Sequence, residues 1–215
     1  MISLLFAATV KLSLEDPDAL LGKMRAAYHE VHSALFYVRF TATDPKGKQI
    51  SGEARYEYVS PNKFRAAFKG ATGGKAILIS DGSHIAIFST TGRRDLMPYS
   101  PSGLTSHLPT NVETLAFFNS DKCLSRDRLG EMHGSELTII ESKEWKSKQW
   151  RVLREINRQD FVQVDYYIDP KTNLIWRTLG EDLKTHKPFI DAEVLELESN
   201  VKIDVSRFKI PTKKS

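Results

Sequence analysis

The chain lacks most of the features that announce chemistry in a sequence. It has one cysteine, Cys123, in 215 residues. An intrachain disulfide is therefore excluded. A lone cysteine with no histidine motif around it reads as a small buried hydrophobe rather than a nucleophile. No run of about 18 apolar residues occurs, so no helical membrane span is expected. Charge of one sign is not concentrated either. Lys and Arg number 31 against 27 Asp and Glu, a net charge of +4 with only a small cluster at Lys213-Lys214. No basic stripe is interleaved with aromatic residues, which argues against a nucleic-acid partner. The excess supports at most a loose attraction to anionic surfaces.

Catalytic and metal-binding signatures are missing as well. Gly70-Ala71-Thr72-Gly73-Gly74-Lys75 places three residues, not four, between its first glycine and the Gly-Lys pair, and Ala76 follows. That is not a phosphate loop but a hairpin connection. His29 and His32 are three apart, whereas a zinc-protease helix needs four. No Gly-x-Ser-x-Gly elbow occurs. Glu155 and Asp165 are candidates to face each other across strands, but Arg151, Arg154 and Arg158 make ordinary cross-strand charge pairing the better reading. The chain is read as non-enzymatic, with no cofactor and no metal.

What the sequence does carry is β-structure with one apolar face. Apolar residues make up 40% and charged residues 27%, an ordinary globular composition. Asp16-Pro17-Asp18 supplies an N-cap, a first-turn proline and an acid for the helix dipole. Leu20, Leu21, Met24, Ala27, Tyr28 and Val31 then recur at helical spacing, predicting an amphipathic helix over 17–32. Alternating runs predict strands over 35–43, 49–59, 63–69, 75–80 and 83–90, and again over 136–142, 149–157, 161–169, 174–179, 189–198 and 208–211. Asp81-Gly82 is a hairpin signal. Residues 91–111, rich in Pro and Gly, read as a long loop, and long loops in compact domains are commonly functional. Short helices are expected over 112–118 and 127–132.

The expected fold is mainly β (α+β): a single curved antiparallel sheet of about ten to eleven strands forming a half-open β-barrel, with the N-terminal helix and short lid helices. No linker divides residues 16–215, which read as one domain. Residues 1–15 read as an N-terminal arm or the remnant of an export signal. Met1 to Val10 is apolar but lacks a basic start, so an incomplete signal, a first strand and an ordered arm all fit it. Phe36, Phe40, Tyr56, Tyr58, Phe64 and Phe68 would approach one concave surface if the sheet curls, and such a surface can enclose a ligand rather than a filled core.

Several short motifs, in order, resemble the LolA-type periplasmic lipoprotein carriers, the outer-membrane lipoprotein-sorting superfamily. They are Phe40, Gly47 and Gly52, then Pro61-Asn62-Lys63-Phe64, then Ser80-Asp81-Gly82-Ser83-His84-Ile85-Ala86-Ile87-Phe88, and at the end Arg207-Phe208-Lys209-Ile210-Pro211. The resemblance covers most of residues 17–90 and returns weakly over 165–211. It implies an unclosed barrel with a helical lid and a hydrophobic cavity for acyl chains, without cofactor or catalysis. Phe64 matches an apolar position at the cavity mouth. Carriers of the best-known type have an arginine before the motif proline that helps hold the lid shut. Ser60 stands there in this chain, and Arg65 falls on the opposite face from Phe64.

On this resemblance the expected lining is Phe36, Val38, Phe40, Tyr56, Tyr58, Phe64, Phe68, Ile77, Ile79, Ile85 and Ile87, with the 91–111 loop gating the mouth. The expected activity is chaperone-like transport of lipids or lipoproteins in the periplasm or cell envelope. The expected partners are acyl chains or lipoproteins and a membrane-associated donor or acceptor protein, with the chain itself a monomer. The alternative is a regulatory or protein-interaction domain of the envelope-stress-sensor kind, on the same fold with a packed cavity.

Overall fold

The computed structural model describes residues 15–43, 47–90, 94–100, 116–117, 121, 123–124 and 135–211. The first element is helix α1, Pro17–His29. Its start follows from the local chemistry: Asp16 caps it by accepting from the Asp18 N–H at 3.2 Å, and Pro17 occupies the first turn. It buries Leu20, Leu21, Met24 and Tyr28.

Eleven strands follow: β1 Ser33–Thr43, β2 Gln49–Val59, β3 Lys63–Gly70, β4 Lys75–Asp81, β5 His84–Ser89, β6 Arg94–Pro98, β7 Ser135–Trp145, β8 Lys148–Asn157, β9 Val162–Ile168, β10 Ile175–Asp182 and β11 Pro188–Ser199. A 3₁₀ turn, η1 Val205–Phe208, ends the described elements. All strands belong to one sheet, in the order β6-β5-β4-β3-β2-β1-β11-β10-β9-β8-β7. Two antiparallel meanders, β1–β6 and β7–β11, are thus joined where β1 pairs with β11. The sheet is not closed. Register shifts at Tyr37/Val38, Ile140/Lys143, Ile175/Arg177 and Gly180/Glu181 are the local irregularities by which long sheets bend and coil. The expected mainly-β, half-open architecture with one N-terminal helix is therefore the observed one.

Three expectations about elements need correction. Residues 94–98, read as loop, form the edge strand β6, because Leu96 and Met97 continue the ladder beyond β5. Residues 208–211, read as a strand, do not form one: Phe208 ends the 3₁₀ turn Val205–Phe208, which Asp204 caps through the Ser206 N–H at 2.9 Å, and 209–211 pair with no strand. The helix ends at His29 rather than His32. Residues 1–14, most of the expected gating loop and the expected helix over 127–132 lie outside the described residues.

The motifs behind the family resemblance turn out to be structural. The Ser80 hydroxyl donates to the Asn62 carbonyl at 2.8 Å, and Asn62 Nδ2 donates to the Gly82 carbonyl at 2.7 Å. Asp81 Oδ1 accepts from the N–H groups of Ser83 and His84, each at 2.8 Å. Pro61-Asn62 and Ser80-Asp81-Gly82 are thus two halves of one clasp between the β2–β3 and β4–β5 turns. Gly82 is required by it: its φ is +100°, and a Cβ there would lie 2.8 Å from Asn62 Oδ1.

Candidate functional site: the inner face of the sheet

Strand alternation sorts every side chain to one of two faces. The inner face is the one α1 covers. From β1 it takes Ala34, Phe36, Val38 and Phe40, from β2 Gly52, Ala54, Tyr56 and Tyr58, and from β3 Phe64, Ala66 and Phe68. Leu78 on β4 and Ile85 and Ile87 on β5 continue it. Beyond β11, with Ala192 and Val194, the second meander adds Thr178, Tyr166, Leu153 and Ile139 in matching register. The result is one largely apolar surface running across both meanders.

Of the residues expected to line a cavity, Phe36, Val38, Phe40, Tyr56, Tyr58, Phe64 and Ile85 are buried in this face, and Phe68 and Ile87 pack against it half-buried. Ile77 and Ile79 are not there. Ala66 pairs with Leu78 and Arg65 with Ile79, so Leu78 points inward while Ile77 and Ile79 project from the outer face. Arg65 itself also points outward, to Glu57. The inner-face residues that the sequence reading passed over are mostly Leu78 and the second-meander set.

Among the described residues the cover consists of α1 together with Ala116, Phe117, Cys123 and Leu124, all buried. Phe117 is the keystone of this cover: its ring lies 4.8 Å from Phe36 in a stacked arrangement, 4.9 Å from Tyr28 edge-on and 5.9 Å from Tyr58. The helix holds this segment through Arg25, whose Nη1 donates to the Leu124 carbonyl at 2.8 Å. The C-terminal half of α1 is docked in turn, since the Ile175 N–H donates to the Tyr28 hydroxyl at 3.1 Å. Burial pushes the Tyr58 phenol above its ordinary range, and a hydrogen bond with Ser60 offsets only part of that.

The helix covers one end of the inner face, near the start of β8, where Glu15 meets Arg151 at 3.3 Å. At the opposite end the apolar side chains become accessible. Ala42, Leu137, Val162 and Phe189 are half-buried, and Ile50 is 48% exposed. A depression of about 350 Å³ at the edge of β1–β3 is lined mainly from the outer face, by Arg39, Thr41, Ser51, Glu53 and Lys69, with Phe40, Gly52 and the Gly70–Gly73 turn.

The outer face is built differently. Glu57 is buried there between Arg65 and Arg207, with Arg207 Nε at 2.5 Å. On β7–β10 a second cluster of Trp145, Trp150, Tyr167, Trp176 and Leu179 is roofed by Lys143, Lys148 and Arg177, each over a ring and each paired with a carboxylate. Lys146 also pairs with Glu193. Asp165 sits beneath this roof. Burial raises its carboxyl, but Arg154 and Lys143 prevail and hold it below the usual range. Among the described residues no group of three or more potential metal ligands occurs, and no helix is long and apolar enough to cross a membrane.

Comparison with known proteins identifies the class at the level of fold. MucB, from the Pseudomonas aeruginosa MucA/MucB complex, superposes with a TM-score of 0.54 at 12% identity over 92% of this chain and 62% of that chain. An uncharacterized conserved protein from Thermus thermophilus gives a TM-score of 0.56 at 12% identity, over 93% of this chain and 96% of that one. A LolA superfamily protein from Nitrosomonas europaea is matched over 91% of this chain and 98% of that chain at 10% identity, with a TM-score of 0.40 that carries no argument by itself. No family model and no curated protein sequence matches. The likenesses above 0.5 show a shared fold, an open antiparallel sheet with helical cover. This is the architecture that the LolA-type motifs imply. The chain spans a little over three fifths of the MucB chain, 62% of its length.

Proposed function

We propose that the inner face binds acyl chains, and that the protein carries or senses lipids or lipoproteins in the bacterial cell envelope without catalysing a reaction. The observation that carries this reading is the extent of the apolar face: it runs across both meanders of an unclosed sheet and reaches an accessible rim at Ala42, Ile50, Leu137, Val162 and Phe189. Burial of roughly ten methylenes would bring about 8 kcal/mol, micromolar affinity before the cost of moving the cover. The lining is proposed to be Phe36, Val38, Phe40, Tyr56, Tyr58, Phe64, Phe68, Ile85 and Ile87, joined by Leu78 and the inward residues of β7–β11. Entry is proposed at the rim near Ile50 and Phe189.

A titration with the apolar fluorophore N-phenyl-1-naphthylamine tests the reading. Saturable uptake at one site per chain, displaced by dodecanol, is the expected result. Failure of well-folded protein to take up the dye would overturn it.

A second reading has a specific observation in its favour. The fold likeness above a TM-score of 0.5 includes MucB, which was solved in complex with MucA(peri). On this reading the inner face stays packed and the protein works by holding a protein partner. Absence of dye uptake, together with a stable stoichiometric protein complex, would select it.

A further inference from the structure

Four acidic side chains are buried among the described residues, and three of them are neutralised in the same way. Glu57 lies between Arg65 and Arg207, Asp165 between Arg154 and Lys143, and Asp169 against Lys148. All three are less than a tenth exposed. Buried carboxylates without a cation are costly, and these pairings are the usual remedy. Glu155 is the exception. It is 5% exposed, yet its partners are neutral hydroxyls: Tyr166 Oη donates to its Oε2 at 3.2 Å, and Ser135 supplies a further hydrogen bond. Among the described residues no Lys or Arg forms an ion pair with it.

Its position separates it from Glu57 and Asp165, which belong to the outer face. Glu155 pairs in register with Leu137 and Val164 on the inner face, one inward position from the rim residues Ser135 and Val162. The nearest inward cation on its own strand is Arg151, four residues away, about 13 Å along β8, and engaged with Glu15. A leucine would satisfy the packing of this site at no electrostatic cost. A carboxyl held there by neutral donors leaves acceptor capacity unused inside the entrance of an apolar face.

We infer that Glu155, oriented by Tyr166 and Ser135, is the polar anchor of the proposed acyl site, and that it selects ligands whose polar end donates hydrogen bonds. This inference rests on the acyl-binding reading. The head group it fits is an ammonium, hydroxyl or amide N–H. A carboxylate or phosphate in the same place would meet like charge and no donor beyond the two hydroxyls.

Displacement of bound N-phenyl-1-naphthylamine tests this, with dodecylamine, dodecanol, N-dodecylacetamide and dodecanoate as competitors at pH 7.5. The wild type is expected to bind dodecylamine at least tenfold more tightly than dodecanoate, and the order of the alcohol and amide identifies the donor preferred. Glu155→Leu is expected to bring the four competitors to within about threefold of one another, each affinity being corrected for the dye Kd measured on the same variant. Glu155→Gln, which keeps the shape and a hydrogen-bonding amide, is expected to lose the ammonium preference but retain dodecanol. Dye uptake with equal competitor affinities in the wild type, or discrimination that survives in Glu155→Leu, would overturn the inference alone. No dye uptake at all would overturn the acyl-binding reading, and this inference with it.

Discussion

Replacing Phe117 by alanine separates a displaceable cover from an ordinary core. Phe117 is 7% exposed and touches Tyr28, Phe36 and Tyr58, so its loss removes an aromatic ring from a packed cluster. In a fixed core such a truncation costs about 3–5 kcal/mol. If the segment is a cover that an acyl chain must push aside, part of that same energy is what the ligand works against in the wild type. Phe117→Ala then lowers stability and tightens ligand binding together. Relief of only about 1.4 kcal/mol would lower Kd tenfold. The pair of measurements is a urea unfolding curve and a dye titration at one temperature and buffer. The account expects a lower urea midpoint with at least a tenfold smaller Kd. A lower midpoint with unchanged or weaker dye binding would show that Phe117 is simply core and that the cover does not compete with ligand.

Further predictions concern the frame around the site. Gly82→Ala forces a side chain into a φ of +100° and against Asn62, and should cost about 1–3 kcal/mol, read as a lower melting temperature. Arg207→Ala removes two charge-assisted hydrogen bonds from buried Glu57. It should cost about 1.5–3 kcal/mol in urea unfolding, at the lower end because Arg207 is half exposed and Arg65 remains. The two inward- and outward-facing acids should respond to pH in opposite senses. Burial lifts the Glu155 carboxyl, and Tyr166 and Ser135 counter this only partly. The folded chain therefore holds that proton more tightly, and the contribution is full below about pH 4.3 and lost as pH rises through the folded value. Glu155→Gln should gain stability relative to wild type from pH 4 to pH 8. Asp165 is held low despite its burial, by Arg154 and Lys143, so its contribution is full above about pH 3.9 and lost as pH falls through the folded value. Asp165→Asn should be most destabilising near neutrality and least so in acid, measured by the same unfolding series.

Much of the fold was legible because alternation is a local property. Strands β1 to β5 were placed within two residues, and Gln49–Val59 was placed to the residue, because charge and apolar side chains alternate there without interruption. The helix start was legible from Asp16-Pro17-Asp18, whereas its end was not. No glycine or proline stops it, and the turn at Glu30 is set by the docking of His32 onto Asn200 Oδ1 at 2.9 Å, a contact across the chain.

Ile77 and Ile79 show a different limit. Strand alternation alone put them on the apolar face with Ile85 and Ile87. The hairpin pairs Ile77 with Phe88 and Ile79 with Ala86, so the two sets lie on opposite faces. Any even-length loop at Asp81-Gly82 has that consequence, and the turn carried the information. The role of Phe117 was out of reach for a further reason: nothing in its neighbours' spacing says that it folds back on Phe36 from 81 residues away. Glu155 was visible as an acid on a strand, but its distinction from Asp165 lies in which face each occupies and which cations that face supplies.

Native mass spectrometry of the freshly purified, folded protein tests the central claim most directly. The account predicts a one-to-one adduct with the mass of an acyl lipid, released by organic extraction and restored by adding dodecylamine or a longer-chain analogue. A single apo mass that no apolar additive shifts, from protein whose circular dichroism shows the intact sheet, would contradict it.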